Sequence, residues 1–392
     1  MLTLEALQAN DGDCFLLHSD RGPKSALILV DGGAAGVYRD VIEKRLDQLR
    51  GTRPGLELRM VVVSHIDADH ITGILDMFKQ MTESCDDGDE PKWKVASLWH
   101  NSFEDVVGAH SASPQTARVV AAVAGRVDLT ELQANGLTDE KALAVVASVK
   151  QGKDLRGFAK RLKTTINRET RGRLIVAPRS GLLEIRVTDD LVFKVIGPRQ
   201  QQLDGLQRQW QESKAQHTTN ESAVAADYLN RTVPNLSSIV FLVEQKGIGQ
   251  QPTRILMTGD AGGDLILKGL EDANLLDEYG RIHLEILKVQ HHGSNHSVSE
   301  EFFRRVLANA YVISGNGKHG IPHIDTLKWL SRARSEEPID VYMTNRHLKD
   351  RGNDLTKGLD DFLALEESEE PGHRYHFREE SELSIKVSIN AS

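Results

Sequence analysis

An α/β fold is what this sequence predicts, and three observations carry the prediction. Short apolar runs of strand length alternate with amphipathic helical stretches along the first hundred residues. Several of those runs stop abruptly at Asp, His or Gly, as strands do when they deliver chemistry to one end of a sheet. With 39% hydrophobic residues over 392 positions there is material for a full core, which excludes a disordered chain and a disulfide-stapled miniature fold.

The elements follow in order. Residues 2–7 alternate weakly, and 14–18 form a short apolar run behind the turn Asn10-Asp11-Gly12-Asp13. Residues 26–30 read as a buried strand ending at Asp31-Gly32-Gly33. Residues 38–49 have helical spacing, with Val41, Ile42, Leu46 and Leu49 on one side. The strongest strand, 58–63, runs straight into Ser64-His65, and the pattern then predicts a helix over 71–81 and a strand over 95–99. From about 102 to 175 helical periodicity dominates; Leu155, Phe158, Leu162 and Ile166 share one face, and Lys153, Arg156, Lys160 and Lys163 another. Strands return at 183–187 and 191–196 as a hairpin through Asp189-Asp190, followed by a polar Gln-rich helix over 200–216. Further strands are expected at 238–243, 254–257, 284–289, 311–314 and 383–389. The acidic runs 86–90 and 366–370 read as solvated loops, and the tryptophans as packing residues.

Composition narrows the function. No apolar run approaches the roughly 20 residues that span a bilayer, and the first residues lack the basic and apolar regions of a signal peptide. Cys14 and Cys85 are the only cysteines, as suits a reducing compartment, so a soluble, cytoplasmic protein is expected. A net charge of -9 argues against a general nucleic-acid coat. Within it, however, lies a basic island over 150–173, a candidate phosphate contact or docking face for a protein partner.

The chemistry concentrates in Ser64-His65-Ile66-Asp67-Ala68-Asp69-His70. His65, Asp67, Asp69 and His70 stand where a buried strand stops and a helix starts, and imidazole with carboxylate suits Zn, Mn or Fe. The plainer alternative is a polar turn capping the next helix through Asp69 or His70. Similar groups recur at other strand ends: Asp31, Asp260 in Thr258-Gly259-Asp260, His291-His292-Gly293-Ser294, and His323 in a Gly-rich stretch.

The order Gly12-Asp13, Asp31-Gly32-Gly33, His65-x-Asp67-x-Asp69-His70, Thr258-Gly259-Asp260 and Leu287-Lys288-Val289-x-His291-His292-Gly293-Ser294 resembles the metallo-β-lactamase superfamily. Within it the resemblance is greatest to the branch holding the metallo-β-lactamase domain of ComEC-type DNA-uptake proteins. Asn235-Leu236-Ser237-Ser238 resembles that branch's Asn-x-x-Ser strand, and Gly320-Ile321-Pro322-His323 its Gly-His-Pro segment. The resemblance implies a four-layer αββα sandwich forming one catalytic domain over 1–392, rather than the two or three domains the length allows. Residues 102–178 then become a mainly helical insertion, and 199–232 a second, shorter one. Two departures matter. Asp67 replaces the second His of the familiar motif, and the usual middle His is absent, which makes the site harder and Mn or Fe plausible beside Zn.

The resemblance implies a metal-dependent hydrolase, foremost a phosphodiesterase or nuclease using a metal-activated water at a dinuclear site. Its metal ligands would be His65, Asp67, Asp69, His70, Asp260 and His291, with His292 the alternative to His291. Catalytic roles are expected for Asp69, His292 and His323, and Asp31 would hold a ligand His from behind. Lys153, Arg156, Lys160 and Lys163 are the candidate nucleic-acid contacts. Hydrolysis of a small ester, amide or thioester, and a partner-gated or non-catalytic module, are the competing readings.

Overall fold

Apolar runs that bury alternate side chains on opposite faces build two large sheets. The computed structural model describes residues 2–20, 25–102, 106, 140–205, 237–246, 251–369 and 372–389. The first sheet contains β1 (Leu2–Leu7), β2 (Phe15–Ser19), β3 (Ala26–Val30), β4 (Glu57–Val62), β5 (Lys94–Val95), β6 (Ser97–Trp99) and β7 (Thr165–Ile166). The second contains β8 (Leu183–Arg186), β9 (Leu191–Gly197), β10 (Val240–Gln245), β11 (Thr253–Met257), β12 (Ile282–Lys288), β13 (Val306–Ile313) and β14 (Asp340–Met343). A small ribbon of β15 (Lys349–Asp350) and β16 (Asn353–Asp354) stands apart, β17 (Arg374–Phe377) joins the second sheet, and β18 (Ser384–Ile389) joins the first.

Strand order in the first sheet is β18-β1-β2-β3-β4-β6-β7, with β5 beside β4; in the second it is β17-β14-β13-β12-β11-β10-β9-β8. Antiparallel pairing at one side of each sheet gives way to parallel pairing from β3 through β4, β6 and β7, and from β11 through β12, β13, β14 and β17. The two ends of the chain meet, with Leu4 opposite Val387 across the antiparallel β1–β18 pair.

The helices are α1 (Glu43–Thr52), preceded by a π-helical turn at Tyr38–Ile42, α2 (Ala68–Asp86), α3 (Glu140–Arg161), α4 (Gly263–Asp272), α5 (Glu300–Arg305), α6 (Ile324–Ala333) and α7 (Thr356–Glu369). Buried apolar side chains fall into three clusters. One lies between the sheets and joins Leu4, Leu17, Ile28 and Val62 to Phe193, Phe241, Ile255 and Val312. Another lies outside the second sheet under α4 to α7. The last lies outside the first sheet, where Leu46, Ile74, Phe78 and Leu155 come from α1, α2 and α3. The molecule is thus a mixed α/β protein with two multi-strand sheets, joined by a shared apolar cluster, and helices packed against them. Trp99 stands edge-on to Phe193 and Phe241 at 5.8 Å from each, a geometry worth roughly 0.5–1.5 kcal/mol beyond simple area burial.

The structure differs from the sequence pattern at several places. The helix expected over 71–81 runs from Ala68 to Asp86, because Ile71, Ile74, Met77, Phe78 and Met81 all reach the sheet and carry the helix on either side of them. The acidic run at 366–370 is not a solvated loop: residues 366–369 belong to α7, and Glu366 is buried, accepting hydrogen bonds from Ser331 at 2.7 Å and Tyr375 at 2.8 Å. Asp340–Met343 and Arg374–Phe377 are short strands whose polar residues mask their alternation. Within the insertion expected over 102–178, residues 103–105 and 107–139 lie outside the described residues; the remainder forms α3 and returns β7 to pair with β6. Of the insertion at 199–232 and the helix expected over 200–216, only 199–205 is described. Trp93 and Trp99 are buried as packing residues; Trp210 lies outside the described residues. Among the described residues no helix is long and apolar enough to cross a membrane.

One buried charge on the outer face of the first sheet has a measurable consequence. Glu5, fully buried in β1, accepts from Arg45 on α1 at 2.6 Å, lies 2.7 Å from His18 Nε2, and also takes the Ser384 hydroxyl of β18. Burial alone would push its pKa up, but the His18 and Arg45 contacts outweigh it and hold the carboxyl at about 2, against an ordinary 4.5. A depressed folded-state pKa stabilises fully above the unfolded value and is lost as pH falls through the folded one. Acid titration of unfolding should therefore remove about 3 kcal/mol between roughly pH 4.5 and 2, and Glu5→Gln should abolish most of that dependence.

Candidate metal centre

The functional side chains gather where the parallel strands of both sheets end. Asp31 follows β3, Ser64 and His65 follow β4, Asp260 follows β11, and His291 and His292 follow β12. Backbone hydrogen bonds lock these loops together: Asp31 N–H to Val62 O at 2.8 Å, Gly32 N–H to His70 O at 2.7 Å, Asp13 N–H to Asp69 O at 3.2 Å, and His291 N–H to Gly259 O at 3.1 Å. The sheets are stitched at this end by Ile239 N–H to Ser64 O at 2.8 Å. Asp31, His291 and His292 have φ of 58°, 49° and 53°, a left-handed conformation that costs non-glycine residues on the order of 1–3 kcal/mol each. Three such residues at one spot mark a backbone bent to aim side chains.

Asp260 is the hub. Its Oδ1 lies 3.3 Å from His70 Nε2, and its Oδ2 lies 3.6 Å from His292 Nε2, 3.7 Å from His291 Nε2 and 3.8 Å from His65 Nε2. On one side of it His65 Nε2 faces Asp67 at 3.5 Å. On the other, Asp69 is 3.2 Å from His292 Nε2 and 3.9 Å from His70 Nε2, and the two imidazole Nε2 atoms are 3.3 Å apart. The opposite ring nitrogens are held from behind: His70 Nδ1 by Asp31 at 3.0 Å, His292 Nδ1 by Asp13 at 3.1 Å, and His65 Nδ1 by Ser64 Oγ at 3.1 Å. Asp31 itself accepts from the Ser64 N–H and hydroxyl, both at 2.7 Å.

Asp13, His70, Asp260 and His292 form a buried cluster whose ligand atoms all lie within 4.8 Å of one another, and which could hold a metal ion. One atom tests that fit. His65 Nε2 is buried without a hydrogen-bond partner and faces Asp260 at 3.8 Å, where an unpaired polar atom costs about 1–3 kcal/mol unless something coordinates it. A set of imidazoles and carboxylates suits Zn, Mn or Fe. The residues present fit a divalent cation.

Without metal, the carboxylates and imidazoles of the centre compensate one another's charge. Burial would raise Asp260, yet His70 and His292 hold it well below the carboxylate range, and the same two imidazoles depress Asp69 against burial. Burial would likewise lower His292, but Asp13 and Asp260 push it up to about 10; His70 is driven well above its ordinary value against burial by Asp260, Asp69 and Asp31. His291 goes the other way, lowered chiefly by burial. Closed and open sides are distinct. The side chains of His65, His70, Asp13 and Asp260 are at most 4% exposed, whereas Asp67, Asp69 and His291 are 33%, 30% and 27% exposed.

His323 joins the turn after His292 through its backbone N–H, 3.1 Å from Gly293 O. His323 caps α6, its Nδ1 accepting from Asp325 N–H at 3.2 Å, and its side chain is 43% exposed. The basic face of α3 divides along its length. Gln151 reaches Thr72 at 3.2 Å, Gly152 packs against His100 and Ile66, and Arg156 donates to Ser102 at 2.6 Å. Arg161 instead pairs with Asp86 at the far end of α2. Gln151 therefore stands beside the start of α2, near Asp69 and His70, while Lys160 lies roughly 13 Å further along the axis toward the other end of α2, and Lys163 follows the end of α3; Lys153 and Lys160 are exposed.

Two residues stood in the sequence motifs without being given a role. Asp13 precedes β2 in what reads as a plain turn, and Lys288, 1% exposed, pairs with it. The available signal was Lys288 itself, a charge directly after the buried apolar pair Ile286-Leu287.

Comparisons with known proteins add little. No protein-family model and no curated protein matches the chain. Among solved structures, a beta-lactamase domain protein from Burkholderia ambifaria aligns at 13% identity and a TM-score of 0.27 over 68% of this chain. The alignment spans 62% of that protein's length.

Close backbone approach is what keeps the ligand loops in place. A Cβ on Gly12 would stand 1.8 Å from Asp69 O, and one on Gly73 would stand 2.0 Å from Gly32 O. Gly12→Ala should lower unfolding free energy in urea by roughly 1–3 kcal/mol and weaken metal binding, since it pushes Asp69 away from the centre.

Proposed function

We propose that the chain is a metal-dependent hydrolase of the metallo-β-lactamase superfamily, a single-domain αββα sandwich, and that it cleaves phosphodiesters. The observation that carries this reading is the convergence of two donor groups on one carboxylate. His65, Asp67 and His291 stand on one side of Asp260, and Asp69, His70 and His292 on the other. These residues would hold divalent metal, with Asp260 the carboxylate common to both donor groups. When bound, such metal supplies Lewis-acid polarisation of the scissile group and a nucleophilic water at neutral pH.

The chain's own groups then have distinct tasks. Asp31 and Asp13 hold the Nδ1 edges of His70 and His292, so that Nε2 faces inward. Asp69 is partly exposed and is the carboxylate placed to orient a water or accept its proton. The protected wall formed by His65, His70 and Asp260 keeps bulk water behind the centre. Gln151, bonded to Thr72 beside Asp69 and His70, and Arg156 on the same helix would form the rim for a phosphodiester, the guanidinium supplying the charge and geometry that phosphate favours. His323, partly exposed, is available to a leaving group of an extended substrate rather than to the metal.

Metal analysis of the purified protein, with cleavage of bis(p-nitrophenyl) phosphate and of DNA in added Zn or Mn, tests this. About two metals per chain and chelator-sensitive cleavage are expected, both lost in Asp260→Ala. Absence of metal under every loading condition overturns the hydrolase; metal without phosphodiester cleavage overturns the substrate class. Arg156→Glu should weaken DNA binding about tenfold and flatten its salt dependence, while Lys163→Glu should do so less.

A further inference from the structure

The two inward-facing imidazoles are anchored differently. Asp31, behind His70, is held by neutral donors, the Ser64 N–H and hydroxyl. Asp13, behind His292, is held by an ammonium: Lys288 Nζ pairs with its carboxylate, donates to Gly259 O at 2.9 Å and lies 3.9 Å from Asp260 Oδ1. All the side chains in the sequence Lys288–Asp13–His292 are at least nine-tenths buried. The path crosses between the sheets, from the last residue of β12 to the turn before β2 and back to the turn after β12.

Packing alone does not account for Lys288. The preceding residues of β12, Ile286 and Leu287, are wholly apolar and buried, and a methionine would fill the same length without desolvating a charge. His292 also needs holding: its backbone is left-handed at φ 53°, and its Nε2 must choose among Asp69, Asp260 and His70, all within 3.6 Å. A carboxylate fixed on one side by Lys288 and on the other by the His292 N–H leaves the ring one orientation.

We infer that Lys288 is a positioning residue which, through Asp13, sets the direction of His292 Nε2 and so the affinity of the half-site that His292 shares with Asp69 and Asp260. The inference rests on the metal-centre reading above. It assigns Lys288 no contact with substrate and no proton transfer.

The test is titration of the metal-stripped, full-length protein with Co(II), followed by visible absorption and chelator competition. Lys288→Met and Asp13→Asn should each weaken Co(II) binding about 10–100-fold and alter the d–d bands of the weakened site. The double variant should be no weaker than the weaker single one, because both remove the same anchor. Asp31→Asn, on the other imidazole, should multiply the effect of Lys288→Met. If Lys288→Met does not fold, Lys288→Gln, which keeps a donor for Gly259 O, carries the same comparison. Wild-type affinity and spectrum in the Lys288 variants, or a double variant showing the product of the single effects, overturns the relay while leaving the metal centre intact. A wild-type protein that takes up no Co(II) overturns both, and is recognised before any variant is made.

Discussion

Burial of carboxylate charge at one end of the sandwich is the constraint on which the remaining structure depends. Asp13, Asp31 and Asp260 are nearly inaccessible, and Asp67 and Asp69 open beside them. Each buried carboxylate costs several kcal/mol unless paired, so the surroundings supply compensation at every one: Ser64 for Asp31, Lys288 for Asp13, and imidazoles for Asp69 and Asp260. That demand explains local features that otherwise look arbitrary. Left-handed backbone at Asp31, His291 and His292, and glycines where helix α2 meets the loops at Gly12 and Gly32, let the groups approach closely enough to offset one another.

The two sheets provide this arrangement only together. Asp31, His65 and His70 belong to the first sheet and its following helix; Asp260, His291, His292 and Lys288 belong to the second. The apolar cluster between the sheets fixes their separation, and β18 returning beside β1 ties both ends of the chain into that frame. Among the described residues the closed side of the centre is formed by packed strand ends and the open side by Asp67, Asp69 and His291. Gln151 of α3 meets Thr72 near the start of α2, next to Asp69 and His70, whereas Arg161 at the end of α3 pairs with Asp86 at the far end of α2.

Much was legible in the sequence, and for identifiable reasons. Continuous apolar runs such as Ala26–Val30 announce buried strands because both of their faces are covered. The short strands Asp340–Met343 and Arg374–Phe377 were not legible, because their half-buried and exposed positions near the sheet edge admit Asp, Arg, Tyr and His and erase the pattern. The acidic stretch ending α7 misleads for the opposite reason: composition reports charge, while Glu366 is buried by two hydroxyl donors distant in sequence.

By itself the sequence determined that the chain would form an α/β sandwich-sized core, and that imidazoles and carboxylates would cluster after particular strands. Both follow from local alternation and from residue types at strand ends. Tertiary structure alone decided which of those groups meet. It set His292 in the buried cluster and left His291 partly exposed, although they are neighbours in the chain, because a left-handed turn sends the two rings in different directions. It made His323 a helix cap, and it brought Lys288 to Asp13 across 275 positions of sequence. Such pairings are set by the register and facing of two sheets, a long-range property that no local pattern encodes.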